Sequence, residues 1–252
     1  MATSPLPPEV IQPTERPIAP WWHTAILVVF LLVFSAMESG GHKNLDHLQR
    51  MKLYSITVMM EWGMLLFLVW GVRRNRQTSV RELIGGRWNK PEDFLMDVVI
   101  AFGFWVGAAM ILAGVGYALG MANIAHAKEM QERIGSMLPQ GGTEIALWLA
   151  VSATAGICEE IIFRGYFQRQ FGVWMKSAWA GVVVQALIFG GSHAYEGWKK
   201  MIQIAVFGFL FGVLAYYRKS LRPGMMAHFG QDAVAGVLGR FALKNLDKTL
   251  PR

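Results

Sequence analysis

The sequence predicts an all-α protein, built as a bundle of about seven helices that cross a membrane. Hydrophobic residues make up 54% of the 252 residues. Charged residues make up 16%, below the roughly 25% of an average soluble domain. Seven apolar runs follow one another along the chain, and a transmembrane helix needs roughly 17–25 such residues. The runs lack the alternation of polar and apolar residues typical of strands, which disfavours a membrane barrel.

The apolar runs give the order of the predicted helices. They cover approximately 21–37, 53–72, 94–121, 143–158, 177–192, 201–217 and a weaker stretch that begins near 221. Several glycines are spaced four residues apart, at Gly103/Gly107, Gly116/Gly120 and Gly208/Gly212. Such pairs allow two helix backbones to approach closely, so we expect helix contacts at these positions.

The domain organisation follows the same pattern. Residues 1–20 carry six prolines and predict a flexible tail. Residues 21–142 predict N-terminal membrane helices with their loops, and residues 143–243 predict the helices of the same bundle that carry the polar motifs. Residues 244–252 predict a C-terminal tail. The single cysteine, Cys158, excludes a disulfide within the chain.

The formal charge of +7 fits a protein anchored at membrane surfaces, so the expected partner is a lipid bilayer and not a nucleic acid. Six lysines and arginines lie between residues 73 and 90, close to predicted helix ends. Because such clusters favour the cytoplasmic side, we expect a cytoplasmic N-terminus in a multi-pass protein of the plasma membrane.

The most informative motif lies at the end of the fourth run, where Glu159, Glu160 and Arg164 interrupt apolar sequence. Each charge at the centre of a membrane costs about 2.5–3.5 kcal/mol. Glu160 and Arg164 are four residues apart and can pair on one helix face. Glu159 lies about 100° around the helix, free to face a cavity and act as a general base. Alternatively, the three charges only fix helix packing.

Two further polar clusters lie on other predicted helices. His193 follows Phe189 by four residues, and His228 precedes Asp232 by four, so that the aspartate can orient the histidine. Each cluster alone also suits a structural hydrogen bond. Together they predict one site, because polar residues of a membrane bundle usually face its interior.

The predicted depths of these residues differ. Counted from the cytoplasmic start of its run at 1.5 Å per residue, His193 lies at about 24 Å, deeper than Glu159 and His228. The three converge if the fourth helix continues past Arg164 or if the fifth helix starts late.

In order and spacing, the three clusters resemble the motifs of the CPBP family of intramembrane endopeptidases, which contains the type II CAAX prenyl proteases and the bacterial Abi relatives. The EExxxR motif is matched by Glu159, Glu160 and Arg164. The FxxxH motif is matched by Phe189 and His193, and the HxxxN or HxxxD motif by His228 and Asp232. The resemblance covers roughly residues 143–240.

The resemblance implies that a glutamate activates the water that hydrolyses a peptide bond. Glu159 would be the base, and His193 would help to hold the water. His228 and Asp232 would stabilise the oxyanion, while Glu160 and Arg164 would hold the motif helix in place. An ionised Asp232 cannot donate to an oxyanion, so Asp232 is either protonated or orients His228. The implied substrate is a peptide or protein, with or without a lipid modification, and no cofactor is expected.

Other functions use the same residues. Glu159, Glu160, His193 and His228 could bind zinc or another divalent metal in a metalloprotease, and Cys158 with His193 could form a nucleophilic dyad. Intramembrane carboxylates, Glu61 among them, also occur in proton-coupled transporters. A scaffold or immunity protein could keep the motifs for packing alone.

Overall fold

The computed structural model describes residues 16–38 and 44–249, with side chains up to residue 241. This part of the chain is a helical bundle, which confirms the predicted all-α class. The α-helices are α1 (Trp21–Glu38), α2 (His47–Asn75), α3 (Val80–Ile84), α4 (Pro91–Ala118), α5 (Ile124–Ile134), α6 (Gly142–Glu159), α7 (Gln168–Trp174), α8 (Ala178–Gly191), α9 (Trp198–Arg218) and α10 (Arg222–Thr249).

Five segments of the described chain are long and apolar enough to cross a membrane. They are α1, α2, α4, the continuous stretch Gly142–Trp174 and α9. The fifth predicted run forms α8, an apolar helix of only 14 residues, and the seventh lies in α10, which is not among the five. The protein is an integral membrane protein, and the number of seven spans stays a prediction.

Side-chain caps define where several helices begin. At the start of α2, Asp46 Oδ1 accepts the Gln49 backbone N–H at 2.8 Å, and Gln49 Oε1 accepts the Asp46 N–H at 2.9 Å. This reciprocal pair satisfies two helix-end donors that would otherwise need water. Ser177 caps α8 in a similar way, by accepting the Ala180 N–H.

The fourth run is longer than the sequence predicted. After α6 the chain continues through an eight-residue π-helical segment, Glu160–Phe167, and then through α7 to Trp174. The Gln168 N–H donates to the carbonyl of Phe163, five residues earlier, as in a π-helix. Such segments are rare and frequently lie at functional sites.

The glycine pairs have different surroundings. A β-carbon on Gly208 would lie 3.0 Å from the Phe189 ring, and one on Gly212 would lie 2.6 Å from Gln185, so α9 packs closely on α8. At Gly103 and Gly107 the same β-carbon would meet nothing within 4 Å. The expectation of a close helix contact at Gly103/Gly107 is therefore wrong within the described residues, because this face of α4 is turned away from the other helices.

One end of the bundle is closed by the short helix α3. Its Leu83 is fully buried, and the Ile84 carbonyl accepts the Leu221 N–H at 2.8 Å, so α3 holds the turn between α9 and α10. Glu82 caps the helix. Hydrogen bonds from the Thr78 hydroxyl and the Ser79 backbone N–H hold the pKa of Glu82 below its ordinary value.

The N-terminal segment reaches the same end of the bundle. Gln170 accepts a hydrogen bond from the Ile18 N–H at 2.7 Å and donates one to the Ala19 carbonyl at 2.6 Å. Ile18 and Ala19 are both buried, so the last residues of the predicted tail pack against the bundle. Residues 1–15 of that tail lie outside the described residues. At the other terminus, α10 extends to Thr249, into the predicted C-terminal tail.

Candidate active site

Glu160 and Arg164 form a buried salt bridge at the start of the π-helical segment. Arg164 Nη1 lies 3.0 Å from Glu160 Oε1, with side-chain exposures of 0% and 1%. His228 Nδ1 of α10 lies 3.1 Å from the same oxygen. The pairing of Glu160 with Arg164 that the sequence predicted is therefore present, and both groups are removed from solvent.

Aromatic rings also lie against the guanidinium of Arg164. Its central carbon lies 4.4 Å from the centre of the Phe189 ring and 5.2 Å from that of Phe211. A cation above an aromatic face is attracted by the electrons of the ring, and the attraction is larger where water is excluded. Arg164 thus joins α8, α9 and the π-helical segment around one buried charge.

The neighbouring carboxylate has different surroundings. The Glu159 side chain is 16% exposed and lines a cavity of about 450 Å³. Its Oε2 lies 3.6 Å from His228 Nε2, on the opposite side of the ring from Glu160. Glu159 therefore faces a cavity, as its position on the helix predicted, and it can contact a molecule that enters.

His193 lines the same cavity from the end of α8. Its Nδ1 lies 2.9 Å from the Phe189 carbonyl, which can only accept, so Nδ1 carries the proton. In the neutral form of a histidine with this tautomer, Nε2 is the acceptor nitrogen. The Phe189 ring lies between the two histidines, with ring centres 4.9 Å from His193 and 6.1 Å from His228.

Asp232 completes the group of predicted residues. Its Oδ2 lies 3.5 Å from His228 Nε2, and its side chain is 34% exposed to the cavity. The indole N–H of Trp148 donates to the backbone carbonyl of Asp232 at 2.9 Å. Trp148 therefore fixes α10 to α6 at this level, a contact that no sequence motif indicated.

The length of the α6–α7 stretch explains how His193 reaches the depth of Glu159. Glu159 lies fifteen residues before Trp174, and His193 lies fifteen residues after Ala178. Because the two helices are connected by a short turn and run in opposite directions, both residues lie about 22 Å from that turn at 1.5 Å per residue. The fourth helix does continue past Arg164, one of the two possibilities left open by the sequence.

The structure thus brings together Glu159, His193, His228 and Asp232 around one cavity, and places Glu160 and Arg164 directly behind it. Among the residues that the structure describes, no group of three or more His, Cys, Asp and Glu side chains is arranged to hold a metal ion. Glu61 of α2 also lines the cavity. The sequence drew attention to Glu61 only as an isolated intramembrane carboxylate.

Residues 141–234 match the family described as Type II CAAX prenyl endopeptidase Rce1-like. Over these residues, which are less than half of the chain, the protein is similar to the CAAX protease family. The matched region begins just before α6 and contains all six polar residues of the three motifs. No curated protein and no solved structure matches the chain. The similarity to a family of membrane endopeptidases, together with the cavity-lining carboxylates and histidines, makes a peptidase the function to test.

Proposed function

We propose that this protein is an intramembrane endopeptidase similar to the CAAX proteases, in which Glu159 activates the attacking water. The observation that carries the proposal is the contrast between two adjacent carboxylates. Glu160 is buried and bound to Arg164 and His228, whereas Glu159 faces the cavity. Only a carboxylate that a water molecule can reach is able to take its proton.

Each of the other groups has a part in the proposed step. Water donates one hydrogen bond to Glu159 and one to His193 Nε2, and its oxygen attacks the peptide carbonyl carbon while Glu159 takes the proton. The carbonyl becomes an oxyanion, which His228 stabilises through Nε2–H. The carbon–nitrogen bond then breaks, and the proton held by Glu159 passes to the leaving amine. Preorganised donors are most effective where water is excluded.

Glu160, Arg164 and Asp232 act as positioning residues in this proposal. Glu160 accepts from His228 Nδ1–H and so directs Nε2 towards the cavity. Arg164 neutralises Glu160 and holds the π-helical segment against α8 and α9. Asp232, whose Oδ2 lies 3.5 Å from His228 Nε2, orients that ring before the Nε2–H turns to the oxyanion. This is the second of the two roles that the sequence left open for Asp232.

We further propose that the substrate is a membrane-associated peptide, with a lipid modification where the family chemistry applies. Apolar residues such as Leu112, Met137 and Leu138 also line the cavity. The N-terminus is proposed to be cytoplasmic and the protein to be located in the plasma membrane. The reaction needs no cofactor in this mechanism, and zinc hydrolysis by the same residues is the alternative that the experiment distinguishes.

The test is cleavage of a mixed library of plain and lipid-modified peptides by purified protein in lipid vesicles. Wild type is compared with Glu159→Gln and Glu159→Ala, each with and without a chelator. We expect cleavage by wild type to resist the chelator and both variants to lose it. Cleavage that is lost on chelation and restored by zinc would establish the metal mechanism instead. Unchanged cleavage by the two variants would contradict the role of Glu159.

A further inference from the structure

Glu61 is a buried carboxyl group that the proposed reaction does not use. It lies at the middle of α2, fourteen residues from either end. The residue is 7% exposed, and its side chain lines the cavity that contains Glu159 and Asp232. Its Oε2 atom is buried without a hydrogen-bond partner among the described residues.

An unpartnered carboxyl group at the centre of a membrane helix is expensive. A buried polar group without a partner costs about 1–3 kcal/mol, and the centre of a membrane disfavours ionisable side chains further. Arg50 of the same helix binds Glu144 instead, and none of the ion pairs formed within the described part of the chain includes Glu61. A partner that enters the cavity would satisfy the group.

The charges of the cavity indicate what kind of partner fits. Glu159 and Asp232 lie near Glu61 and are acidic as well. The nearby cation Lys200 donates to Gln203 at 3.0 Å, and His228 already contacts Glu160. A cationic group of the guest would therefore meet three acidic groups, and charge-assisted hydrogen bonds are about twice as strong as neutral ones.

The apolar wall indicates the shape of the same partner. The cavity that contains the acidic groups is also lined by Leu112, Met130, Ile134, Met137 and Leu138. Lysine and arginine have a hydrocarbon stem that packs on apolar surface and a charged end that reaches a polar group. The volume of about 450 Å³ lies within the range of pockets that bind small ligands.

We propose that Glu61 is a substrate-binding residue that selects peptides with a lysine or arginine within one or two residues of the scissile bond. The proposal rests on the proposed peptidase function and names the substrate class for that site. The guest cation binds Glu61, its stem covers the methionine and leucine side chains, and the peptide carbonyl is held beside Glu159.

The test uses peptides that differ at one position only, with lysine, arginine, methionine or glutamate beside the cleaved bond. For wild type in lipid vesicles we expect kcat/KM to be at least about tenfold higher for lysine and arginine than for methionine. Glu61→Gln should lose the preference, so that the ratio of kcat/KM for the lysine peptide to that for the methionine peptide falls towards one. Glu61→Lys should prefer the glutamate peptide, a gain that misfolding cannot produce.

Glu196→Gln is the matched control, because it removes the same charge from another residue that lines the cavity. It should keep the preference for basic peptides. The proposal is overturned if wild type shows no preference, if Glu61→Gln keeps it, or if Glu196→Gln loses it equally. Should wild type cleave no peptide, binding of the lysine and methionine peptides is measured directly. Tighter lysine binding that depends on Glu61 would then preserve the site while the peptidase function fails.

Discussion

Glu159 and Glu160 are adjacent in the chain, but one side chain faces a cavity and the other is buried in an ion pair. On the closed side, Glu160 binds Arg164 at 3.0 Å among the rings of Phe189 and Phe211. On the open side, Glu159 faces a cavity together with His193 and Asp232. The same residue type thus serves packing at one position and is available for chemistry at the next. We therefore expect substitutions on the open side to lower the rate of cleavage, and substitutions on the closed side to lower thermal stability.

The largest effect is expected from Glu159→Gln on the open side. Losing a general base typically lowers the rate about 10²–10⁴-fold, while the amide keeps the shape of the side chain. We therefore expect kcat to fall by this factor and the melting temperature to stay close to that of wild type. Peptide cleavage and thermal unfolding of the same preparation measure both. A large loss of thermal stability would show that Glu159 is a packing residue.

On the closed side, Arg164→Met should act mainly on stability. Removing one member of a buried pair leaves the other charge without compensation and costs about 3–5 kcal/mol. The expected result is a lower melting temperature and a lower yield of folded protein. The matched control is the double variant Glu160→Met with Arg164→Met, which leaves no buried charge at the pair and should recover much of that stability. A single variant as stable as wild type would contradict the closed pair.

Asp232 lies on the open side and tests how the histidine is oriented. Asp232→Asn keeps a hydrogen-bonding oxygen near His228 Nε2, so we expect kcat to fall by about tenfold or less. Asp232→Leu removes that oxygen and should lower kcat by more. The expected loss corresponds to one hydrogen bond to a charged group, about 1.5–3 kcal/mol. The two variants are compared in the same cleavage assay. Equal activity of Asp232→Leu and wild type would exclude a positioning role.

The smallest effect is expected from Glu82→Gln. Glu82 lies in α3, away from both the ion pair of Glu160 and the cavity of Glu159. Because the pKa of Glu82 is lowered in the folded protein, its contribution is present above its ordinary value near 4.5 and is lost as pH falls through the lowered value. Melting temperatures measured from neutral to acidic pH should therefore fall slightly less for Glu82→Gln than for wild type. Cleavage at neutral pH should be equal, and a change in kcat would contradict this separation.

Composition and residue spacing predicted the helices and the contacts within each motif. The i, i+4 spacing was sufficient for Glu160 with Arg164 and for His228 with Asp232, because both pairs lie within one turn of a helix. The π-helical segment could not be predicted, since Glu160–Phe167 has the apolar pattern of an ordinary helix. The shared depth of Glu159 and His193 depends on that longer stretch and was open for the same reason.

Contacts between distant helices were the least predictable. Gly103/Gly107 and Gly208/Gly212 have the same spacing, yet only the second pair packs closely against another helix. Spacing within one helix carries no information about which face meets a neighbour. Glu61 is a similar case, because its place in the cavity depends on how α2 packs against α6.

The π-helical segment makes the length of this region as important as its composition. If the same eight residues formed an ordinary α-helix, everything beyond them would be rotated about the helix axis relative to Glu159, because a π-helix turns by less per residue than the 100° of an α-helix. Gln170 would then no longer face Ile18, and Arg169 would lose the carbonyl of Leu83 that it contacts. Replacing one apolar residue by another in this segment changes only local packing. A change of register would instead alter the position of Arg169 and Gln170, which bind the rest of the bundle, relative to Glu159, which faces the cavity.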